Sequence, residues 1–598
     1  MQRLRSMTRF YHAAPAYWPQ GFKTLPFENP HLEMPGFNVP LNLYPTRDGM
    51  KDWTRGFANA LDPSHCDEGY MDQLVTRREI LMMRVMNTIT DKPSWDRKVF
   101  DEQITAKWRA EISQSGQDVS SKMMDWIIKE LQWKAGIYQE RGTIQVFDSG
   151  VVKSDAVISQ QVQQSLKDAV SPLENIPEKD YHPGSDQKVV NLVHPSLFPV
   201  ISGRTRVLPD RVIGLNDCLN NMGEGSLIPT PSEEHSKIPF ENSEGVEVLS
   251  RKFQWLPCDV ELTKNNGAQI LSYINNAHPI KHRALYEVIE KIIAQTIPLW
   301  DMSLTDRHDH IREQRIEFKG VEYGEAPGPS PKEPMGDSHE EWDKHLEDDW
   351  AYLRSRPIKQ PEPGEFNTQY ILKYNENPVN LREDFKNQRL QVIVKLANIE
   401  LTPEKPDYEG GTWHIEGQLN ERICASAIYY YDSANITEST LSFRHRGMDD
   451  FSISYDQELH EFLQVIYGFL PEVKSGYPRS NITQLDGSVI CKEGRLITFP
   501  NTLQHRVSPF SLADRTKPGH RKILALFLVD PHRRIISSAN VPPQRKDWRD
   551  DEGDSETDGL MSMNEARQYR LSLMEERSIQ KEKDNSHFEE GEFNLCEH

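Results

Sequence analysis

Between residues 390 and 529 the sequence contains five strand-like segments with almost no helical pattern between them. The first, "LQVIVKLANIEL", alternates apolar residues with polar ones such as Gln391 and Lys395, as a half-buried strand does. The others are "ICASAIYYY", "STLSFR", "GRLITF" and "RKILALFLV". Short strands in succession with one long interruption are typical of a barrel or jelly roll. This succession constrains the fold more than any other feature of the chain.

The first half of the chain has a different pattern. Three segments, "MDQLVTRREILMMRVMNTI", "SWDRKVFDEQITAKWRAEI" and "SSKMMDWIIKELQWKAGI", place apolar residues three and four positions apart, which predicts helices within residues 71–137. From about residue 140, short strands such as "GTIQVF" mix with helices such as "HRALYEVIEKIIAQTIPLW". The predicted fold class is therefore α+β, with a helical and mixed N-terminal region before a β-rich C-terminal one.

Charge and proline content divide the chain further. Residues 321–366 hold 12 acids and 5 bases, and residues 545–598 hold 16 acids and 8 bases, so these two segments carry most of the net charge of −21. Such segments favour solvation over burial, and we expect both to be dispensable for chemistry. The predicted parts are an N-terminal extension (1–70), a helical and α+β region (71–320), an acidic Pro-rich insertion or linker (321–366), a β-rich catalytic domain (367–545) and a charged, largely disordered tail with one exposed helix (546–598).

Composition also narrows the class of protein. No basic stripe with interleaved aromatic residues is present, which argues against nucleic acid as a partner. No apolar run is long enough to cross a membrane and the opening residues lack a secretory core, so we predict an intracellular protein, with the cytoplasm as the first choice and the nucleus and mitochondrion left open. Six cysteines are scattered without CxxC spacing, which predicts reduced, mostly buried thiols.

One histidine–acid pair stands out from its background. With 20 histidines, roughly 3 His-x-acid pairs are expected by chance, and the sequence has six, so the motif alone carries little weight. Only His414-Ile-Glu416 is predicted to open a strand rather than to lie in a loop, the acidic insertion or the tail. In extended backbone, residues i and i+2 point the same way, so an imidazole and a carboxylate could face one ion.

A third ligand and a cation follow on later strands. "GRLITFPNTLQHRVSPF" supplies His505, and two histidines with one carboxylate on one side of an ion leave the opposite positions open, as in non-haem Fe(II) oxygenases. The last strand begins with Arg521, which shares a face with apolar residues. A guanidinium on such a face favours a bidentate carboxylate.

The order of these motifs resembles a known superfamily. His-x-acid, a tyrosine-rich strand, "LSFR", "GRLITFP", "HRV" and "G-x-R" before an apolar strand are similar to the double-stranded β-helix, a cupin-like jelly roll, of the 2-oxoglutarate and Fe(II)-dependent oxygenases, over residues 390–530. "KPSWDRKVFDEQITAKW", "YHPGSDQKVVNLVHPSLFP" and "GGTWHIEGQLNERI" also resemble an uncharacterised fungal domain-of-unknown-function family, over about 70–540.

The superfamily resemblance implies roles for individual residues. His414, Glu416 and His505 would be the iron ligands, and Arg521 would bind the distal carboxylate of 2-oxoglutarate. The acid is glutamate where most members have aspartate, and Ile523 stands where many have a serine, so another hydroxyl must complete the carboxylate site. Tyr430 is the candidate, although alternation alone does not decide between its face and that of the neighbouring tyrosines.

The predicted function is that of an iron enzyme, a 2-oxoglutarate-dependent dioxygenase of the hydroxylase type, with 2-oxoglutarate and dioxygen as co-substrates and with succinate and carbon dioxide released. Its primary substrate is not readable from the sequence. Two alternatives remain. One is a zinc-dependent hydrolase on the same barrel, although this chain lacks the HExxH helix signature and water activation would not require Arg521. The other is a non-catalytic cupin-like scaffold.

Overall fold

The structure is a computed structural model that describes residues 32–42, 56–63, 71–238, 246–305, 314–336, 338–367, 378–447, 453–456, 458–473, 480–549, 559–591 and 593. Helices and antiparallel sheets are both abundant, so the α+β class is confirmed. Among the described helices, none is long and apolar enough to cross a membrane. The four described cysteines are buried free thiols, as predicted.

The described part of the chain contains seven longer helices: α1 (Arg77–Thr90), α2 (Glu102–Gln114), α3 (Ser121–Arg141), α4 (Gln160–Glu174), α5 (Arg283–Thr305), α6 (His339–Ser355) and α7 (Met563–Glu589). Single helical turns lie at Trp95–Lys98, Leu381–Asp384 and Phe462–Val465. The second helix predicted from the sequence is divided in two because Asp101 caps α2, where its carboxylate accepts bonds from the amides of Gln103 and Ile104 at 2.9 and 3.1 Å.

Fourteen strands form the two larger sheets: β1 (Met71–Asp72), β2 (Ile144–Phe147), β3 (Val151–Ser154), β4 (Asp180–Tyr181), β5 (Val189–Val193), β6 (Cys258–Leu262), β7 (Ala268–Ile270), β8 (Leu390–Leu401), β9 (Ile423–Ala434), β10 (Thr440–Gly447), β11 (Thr483–Ile490), β12 (Leu496–Pro500), β13 (Gln504–Val507) and β14 (Gly519–Val529). Two-residue strands pair outside them: Met34–Pro35 with Asn38–Val39, Val200–Ile201 with Phe253–Gln254, Arg206–Val207 with Ser226–Leu227, Lys237–Ile238 with Val246–Glu247, Asp407–Tyr408 with Phe510–Ser511, and Ser480–Asn481 with Glu590–Gly591.

The main sheet of the described residues has ten strands in the order β7-β6-β8-β14-β9-β12-β3-β2, with β5 pairing both β8 and β4. The second has four, in the order β11-β10-β13, and β1 runs parallel beside β10. All other pairings in these two sheets are antiparallel. Long β14 lies between β8 and β9 and pairs along most of its length with both.

Alternation along β14 divides its side chains between two cores. Ala525 and Phe527 belong to the inner core, which also receives Phe443 from the second sheet and Phe499 from the main sheet, with the two rings 5.1 Å apart. The intervening residues of β14 pack on the outer face, where α5 buries its apolar side. The two sheets therefore face each other across one core, as the period of two in the sequence predicts.

The predicted boundary at residue 367 does not separate two sheets. Strands β2 to β7 precede it, yet they extend the same sheet as β8, β9, β12 and β14. Strand pairing partners are set by long-range register rather than by local pattern, so no local pattern indicates that these strands join the same sheet. The acidic insertion does contain a solvated element, because α6 buries none of its side chains.

The tail prediction was wrong in an important respect. The helix expected there is present as α7, but it buries Ala566, Arg570, Leu573 and Phe588 rather than standing exposed. Ser562 caps it by accepting a bond from the Glu565 amide at 3.2 Å. The tail was predicted to be solvated because it is highly charged, yet Arg570, Arg577 and Glu589 of this helix pair with Asp180 on β4, with Glu421 in a 3₁₀ turn and with Arg444 on β10.

Candidate metal centre

Reciprocal backbone bonds place the two candidate histidines opposite each other. The His414 amide donates to the His505 carbonyl at 3.2 Å, and the His505 amide donates to the His414 carbonyl at 3.0 Å. Their ring centroids lie 4.3 Å apart. Gly410 lets this segment lie close to β13, since its φ of +88° is left-handed and a Cβ there would lie 2.8 Å from the Val507 carbonyl oxygen.

Glu416 completes the cluster. One of its carboxylate oxygens, Oε1, lies 3.2 Å from His505 Nε2 and 3.7 Å from His414 Nε2. Asn501 fixes the glutamate backbone: its side chain accepts from the Glu416 amide and donates to the Glu416 carbonyl, both at 3.2 Å. One ligand atom from each of the three residues lies within 4.8 Å of the others, so the structure brings the predicted set together.

The segment does not open a strand, contrary to the prediction. His414 forms an isolated bridge with His505, and β9 begins only at Ile423. Between them the chain turns at Gly417, whose φ is +75°, and through the short 3₁₀ turn Leu419–Glu421. The ligands are therefore aligned by pairing with β13 and by Asn501, and not by the alternation of a continuous strand.

Burial and charge favour metal-binding forms of these side chains. The His505 side chain is 3% exposed, and burial, followed by the neighbouring His414, lowers its pKa to about 4. Burial opposes ionisation of Glu416, but hydrogen bonds and charges from both histidines outweigh it and hold the pKa of this carboxyl well below its ordinary value. At neutral pH the cluster therefore offers a neutral imidazole and a carboxylate.

The donor set fits a divalent transition metal. His414 Nδ1 lies 2.8 Å from the Thr412 carbonyl oxygen, so Nδ1–H donates there and Nε2 presents its lone pair toward Glu416. Two nitrogens and one oxygen on one side of an ion match the facial arrangement of non-haem iron sites, and zinc accepts the same atoms. A carboxylate that is 14% exposed and lies within 4 Å of two imidazole nitrogens is stabilised further by a bound cation.

Arg521 lies on the inner face and has no acidic partner. Its side chain is buried, Nη1 donates to Ser439 Oγ at 3.0 Å, and Nε makes no hydrogen bond within the described chain. The guanidinium carbon is 4.7 Å from the Phe510 ring centroid and 5.6 Å from that of Tyr430. No ion pair joins Arg521 to any described residue, and an unpaired buried guanidinium is costly unless an anion binds it.

The structure decides between the tyrosine faces. Tyr430 lies in the inner core with Arg521 beside its ring, and its hydroxyl is 3.1 Å from Cys491 Sγ. Tyr429 and Tyr431 lie in the outer core against α5. Ser439 places a hydroxyl against the Arg521 guanidinium, and the sequence offered no signal for this contact because Ser439 precedes β10 as an ordinary polar residue.

Residues of α7 also reach the candidate centre, which sequence reasoning missed. Asn585 donates to the Trp413 carbonyl at 3.1 Å and accepts from Gln504 Nε2 at 2.8 Å. Lys581 donates to Thr412 Oγ1, two residues before His414. The available signal was the spacing of Ala566, Arg570, Leu573, Arg577 and Lys581, which places all five along one side of a helix.

The family model described as "Protein of unknown function (DUF4246)" matches residues 121–552, and the model of its N-terminal domain matches residues 34–111. The chain belongs to this family. The DUF4246 match includes the two histidines, the glutamate and Arg521. No curated protein matches the chain.

Some solved structures show a limited likeness. IDO from Bacillus thuringiensis is 8% identical over 27% of this chain and 53% of its own, with a TM-score of 0.15. The Fe(II)/α-ketoglutarate-dependent dioxygenase TqaL is 17% identical over 29% and 55%, with a TM-score of 0.16. A bsmA homolog from Methylobium petroleophilum PM1 is 12% identical over 30% and 59%, with a TM-score of 0.14. The chain thus spans little more than half the length of each.

Proposed function

We propose that this protein is a non-haem Fe(II) and 2-oxoglutarate-dependent oxygenase whose facing sheets form a double-stranded β-helix. One observation carries the proposal: the inner face holds both a two-histidine, one-carboxylate cluster and a buried guanidinium, Arg521, that pairs with no acid among the described residues. A hydrolytic metal site needs the first feature only. The second favours an enzyme whose co-substrate carries a carboxylate.

His414, Glu416 and His505 would hold Fe(II) from one side and leave the remaining positions to 2-oxoglutarate and dioxygen. Bound iron would supply the activation of dioxygen and the oxidation of the substrate. The chain supplies orientation: the Thr412 carbonyl fixes the ring of His414, and Asn501 fixes the backbone of Glu416. Burial keeps His505 neutral, so its nitrogen is available for coordination at physiological pH.

Arg521 would bind the distal carboxylate of 2-oxoglutarate through parallel hydrogen bonds, with the Ser439 hydroxyl and the Tyr430 ring beside it. His505 pairs with Phe443 on β10, and Ser439 lies four residues before Phe443. At about 3.3 Å per residue, the backbone positions of Phe443 and Ser439 are ~13 Å apart along the chain direction of β10. An extended arginine side chain and a five-carbon diacid together bridge such a separation.

The reaction proposed is a hydroxylation, or a demethylation or desaturation derived from it, of a primary substrate still to be identified. 2-Oxoglutarate and dioxygen are consumed, and succinate and carbon dioxide are released. The zinc hydrolase and scaffold alternatives both predict that 2-oxoglutarate does not bind in a manner that depends on Arg521.

Substitution of Arg521 tests this proposal. Lysine keeps the charge but replaces a planar fork by a point charge on a flexible stem, so Arg521→Lys should weaken 2-oxoglutarate binding by about tenfold to a hundredfold, and Arg521→Met by more. Fe(II) affinity should hardly change, because the guanidinium contacts none of the three ligands. The measurement is an anaerobic titration of the iron-loaded full-length protein with 2-oxoglutarate.

The adjacent residue provides the control. Lys522 points to the outer face, where it pairs with Glu174 and Asp432 at 3.0 and 3.1 Å, so Lys522→Met should bind 2-oxoglutarate like the wild type. If both Arg521 variants also bind it like the wild type, the oxygenase proposal loses its main support and the hydrolase becomes the better reading of the cluster.

A further inference from the structure

The segment that carries His414 and Glu416 has little backbone support. Among the described residues, it is held to the second sheet by one isolated bridge, from His414 to His505 on β13. In an antiparallel pair of this kind, the amide and carbonyl of the bridged residue point to the partner, and those of its neighbours point the other way. The carbonyl of Trp413 therefore lies on the edge away from β13, where a further strand would otherwise pair.

Helix α7 covers that edge instead of a strand. Three of its residues lie four and three positions apart and so share one face: Lys581, Asn585 and Phe588. Lys581 donates to Thr412 Oγ1, and Asn585 Nδ2 donates to the Trp413 carbonyl at 3.1 Å. Phe588 is 0% exposed and is buried in the same apolar cluster as Ile415. One face of the helix thus follows the ligand segment from residue 412 to residue 415.

Asn585 also bonds to the strand that carries the second histidine. Its Oδ1 accepts from Gln504 Nε2 at 2.8 Å, and Gln504 is 0% exposed. Gln504 directly precedes His505, as Trp413 directly precedes His414. A single side-chain amide therefore joins the residues that stand before the two candidate histidine ligands.

Arg444 fixes the direction of these bonds. Its Nε donates to Gln504 Oε1 at 2.7 Å, so the nitrogen of that amide donates to Asn585 and the Asn585 nitrogen is left for the Trp413 carbonyl. Arg444 Nη2 donates to Glu589, four residues after Asn585 on α7. The chain of bonds begins and ends on the helix, and a network whose members are satisfied in this way is rigid.

We infer that Asn585 is a positioning residue for the candidate metal centre, because its amide fixes the segment of His414 and Glu416 relative to β13. The inference rests on the metal site of the proposed function and adds a residue that acts on the ligands through their neighbours. Without this amide, the ligand segment keeps its single bridge to β13, while the Trp413 carbonyl and the Gln504 nitrogen lose a partner. The ligand nitrogens are then held less precisely for an ion.

Metal titration of the full-length protein tests this role. Fe(II) is titrated anaerobically, and Co(II) serves as a second probe because its visible absorption bands report the geometry of its ligands. Asn585→Ala should weaken Fe(II) binding by about tenfold to a hundredfold and shift the bands of the Co(II)-saturated protein. Gln504→Glu should shift the same bands, since a carboxylate still accepts from Arg444 but donates no bond to Asn585.

A glutamine on the same helix provides the matched control. Gln580 donates to Asp584 within α7 at 2.8 Å, so Gln580→Ala removes an amide without touching the ligand segment and should bind both metals like the wild type. Unfolding midpoints of the metal-free variants separate positioning from stability. A purely structural role of Asn585 would lower the midpoint and leave the Co(II) bands of the folded, saturated protein in place.

The outcomes distinguish this inference from the proposed function. Wild-type Fe(II) affinity in Asn585→Ala, or unshifted Co(II) bands in both Asn585→Ala and Gln504→Glu, would overturn the inference, as would an equal loss in Gln580→Ala. A wild type that binds neither metal would overturn the metal centre and the inference together. If the wild type binds Fe(II) but not 2-oxoglutarate, and metal binding still depends on Asn585, only the oxygenase proposal falls.

Discussion

Fe(II) binding should be lost when Glu416 or His505 is replaced by alanine. Each substitution leaves two ligands where three hold the ion. Loss of a residue that only hydrogen-bonds to a metal ligand lowers metal affinity by roughly tenfold to a hundredfold, so loss of a ligand itself should lower Fe(II) affinity by more. Iron content after anaerobic loading and desalting measures the effect. A second readout is thermal unfolding, since metal at a hundred times its dissociation constant stabilises a folded protein by about 2.7 kcal/mol. That metal-dependent stabilisation should disappear in both variants.

A histidine with an acidic neighbour but no third ligand provides the control. His520 Nε2 lies 3.0 Å from Asp432 Oδ2 on the outer face, so His520→Ala should bind iron like the wild type. Glu416→Asp should retain weakened binding, because the charge and ligand type remain while the arm is shorter. Unchanged iron content in both alanine variants would refute the assignment, provided that circular dichroism shows the wild-type fold.

The candidate site was predictable where its geometry depends on local features. Alternation along β14 placed Arg521 with Ala525 and Phe527, and the structure gives the same grouping. The order of motifs along the chain brought His414, Glu416 and His505 together, although the predicted mechanism, an extended strand carrying the first two, was wrong. Asn501 supplies the missing constraint through two side-chain bonds to the Glu416 backbone, which no local pattern indicates.

The parts of the fold that were not predicted depend on contacts between residues that are distant in sequence. Strand β3 joins the main sheet by pairing with β12, about 340 residues later, and β2 pairs with β3 at the edge. Helix α7 was underestimated because arginine stems lie beside its few buried apolar residues and cover apolar surface while their charges find partners, as Arg577 does over Trp255. A composition rule counts such residues as solvated, and it fails wherever a charged side chain has a fixed partner.

Ending the chain after Met561 should remove most of its stability, in contrast to the dispensable tail expected from composition. Glu421 is fully buried and would lose Arg577, and loss of one partner from a buried ion pair costs about 3–5 kcal/mol. Leu573 and Phe588, both 0% exposed, would lose contacts whose removal costs about 2–5 kcal/mol each. The total is comparable to the whole stability of a typical protein, about 5–15 kcal/mol. Chemical denaturation of the truncated and full-length chains measures the loss.

Substitution of two leucines on α7 tests the contribution of this helix to stability without truncating the chain. Leu573 is 0% exposed in the inner core, whereas Leu571, two residues earlier, is 54% exposed. Leu573→Ala should therefore lower the free energy of unfolding by about 2–5 kcal/mol, and Leu571→Ala by less than about 0.5 kcal/mol. Equal effects would mean that α7 does not pack against the sheets in solution. A large difference, together with a destabilised truncation, would make the helix part of the catalytic fold, because the same helix carries Lys581 and Asn585 to the segment that holds His414.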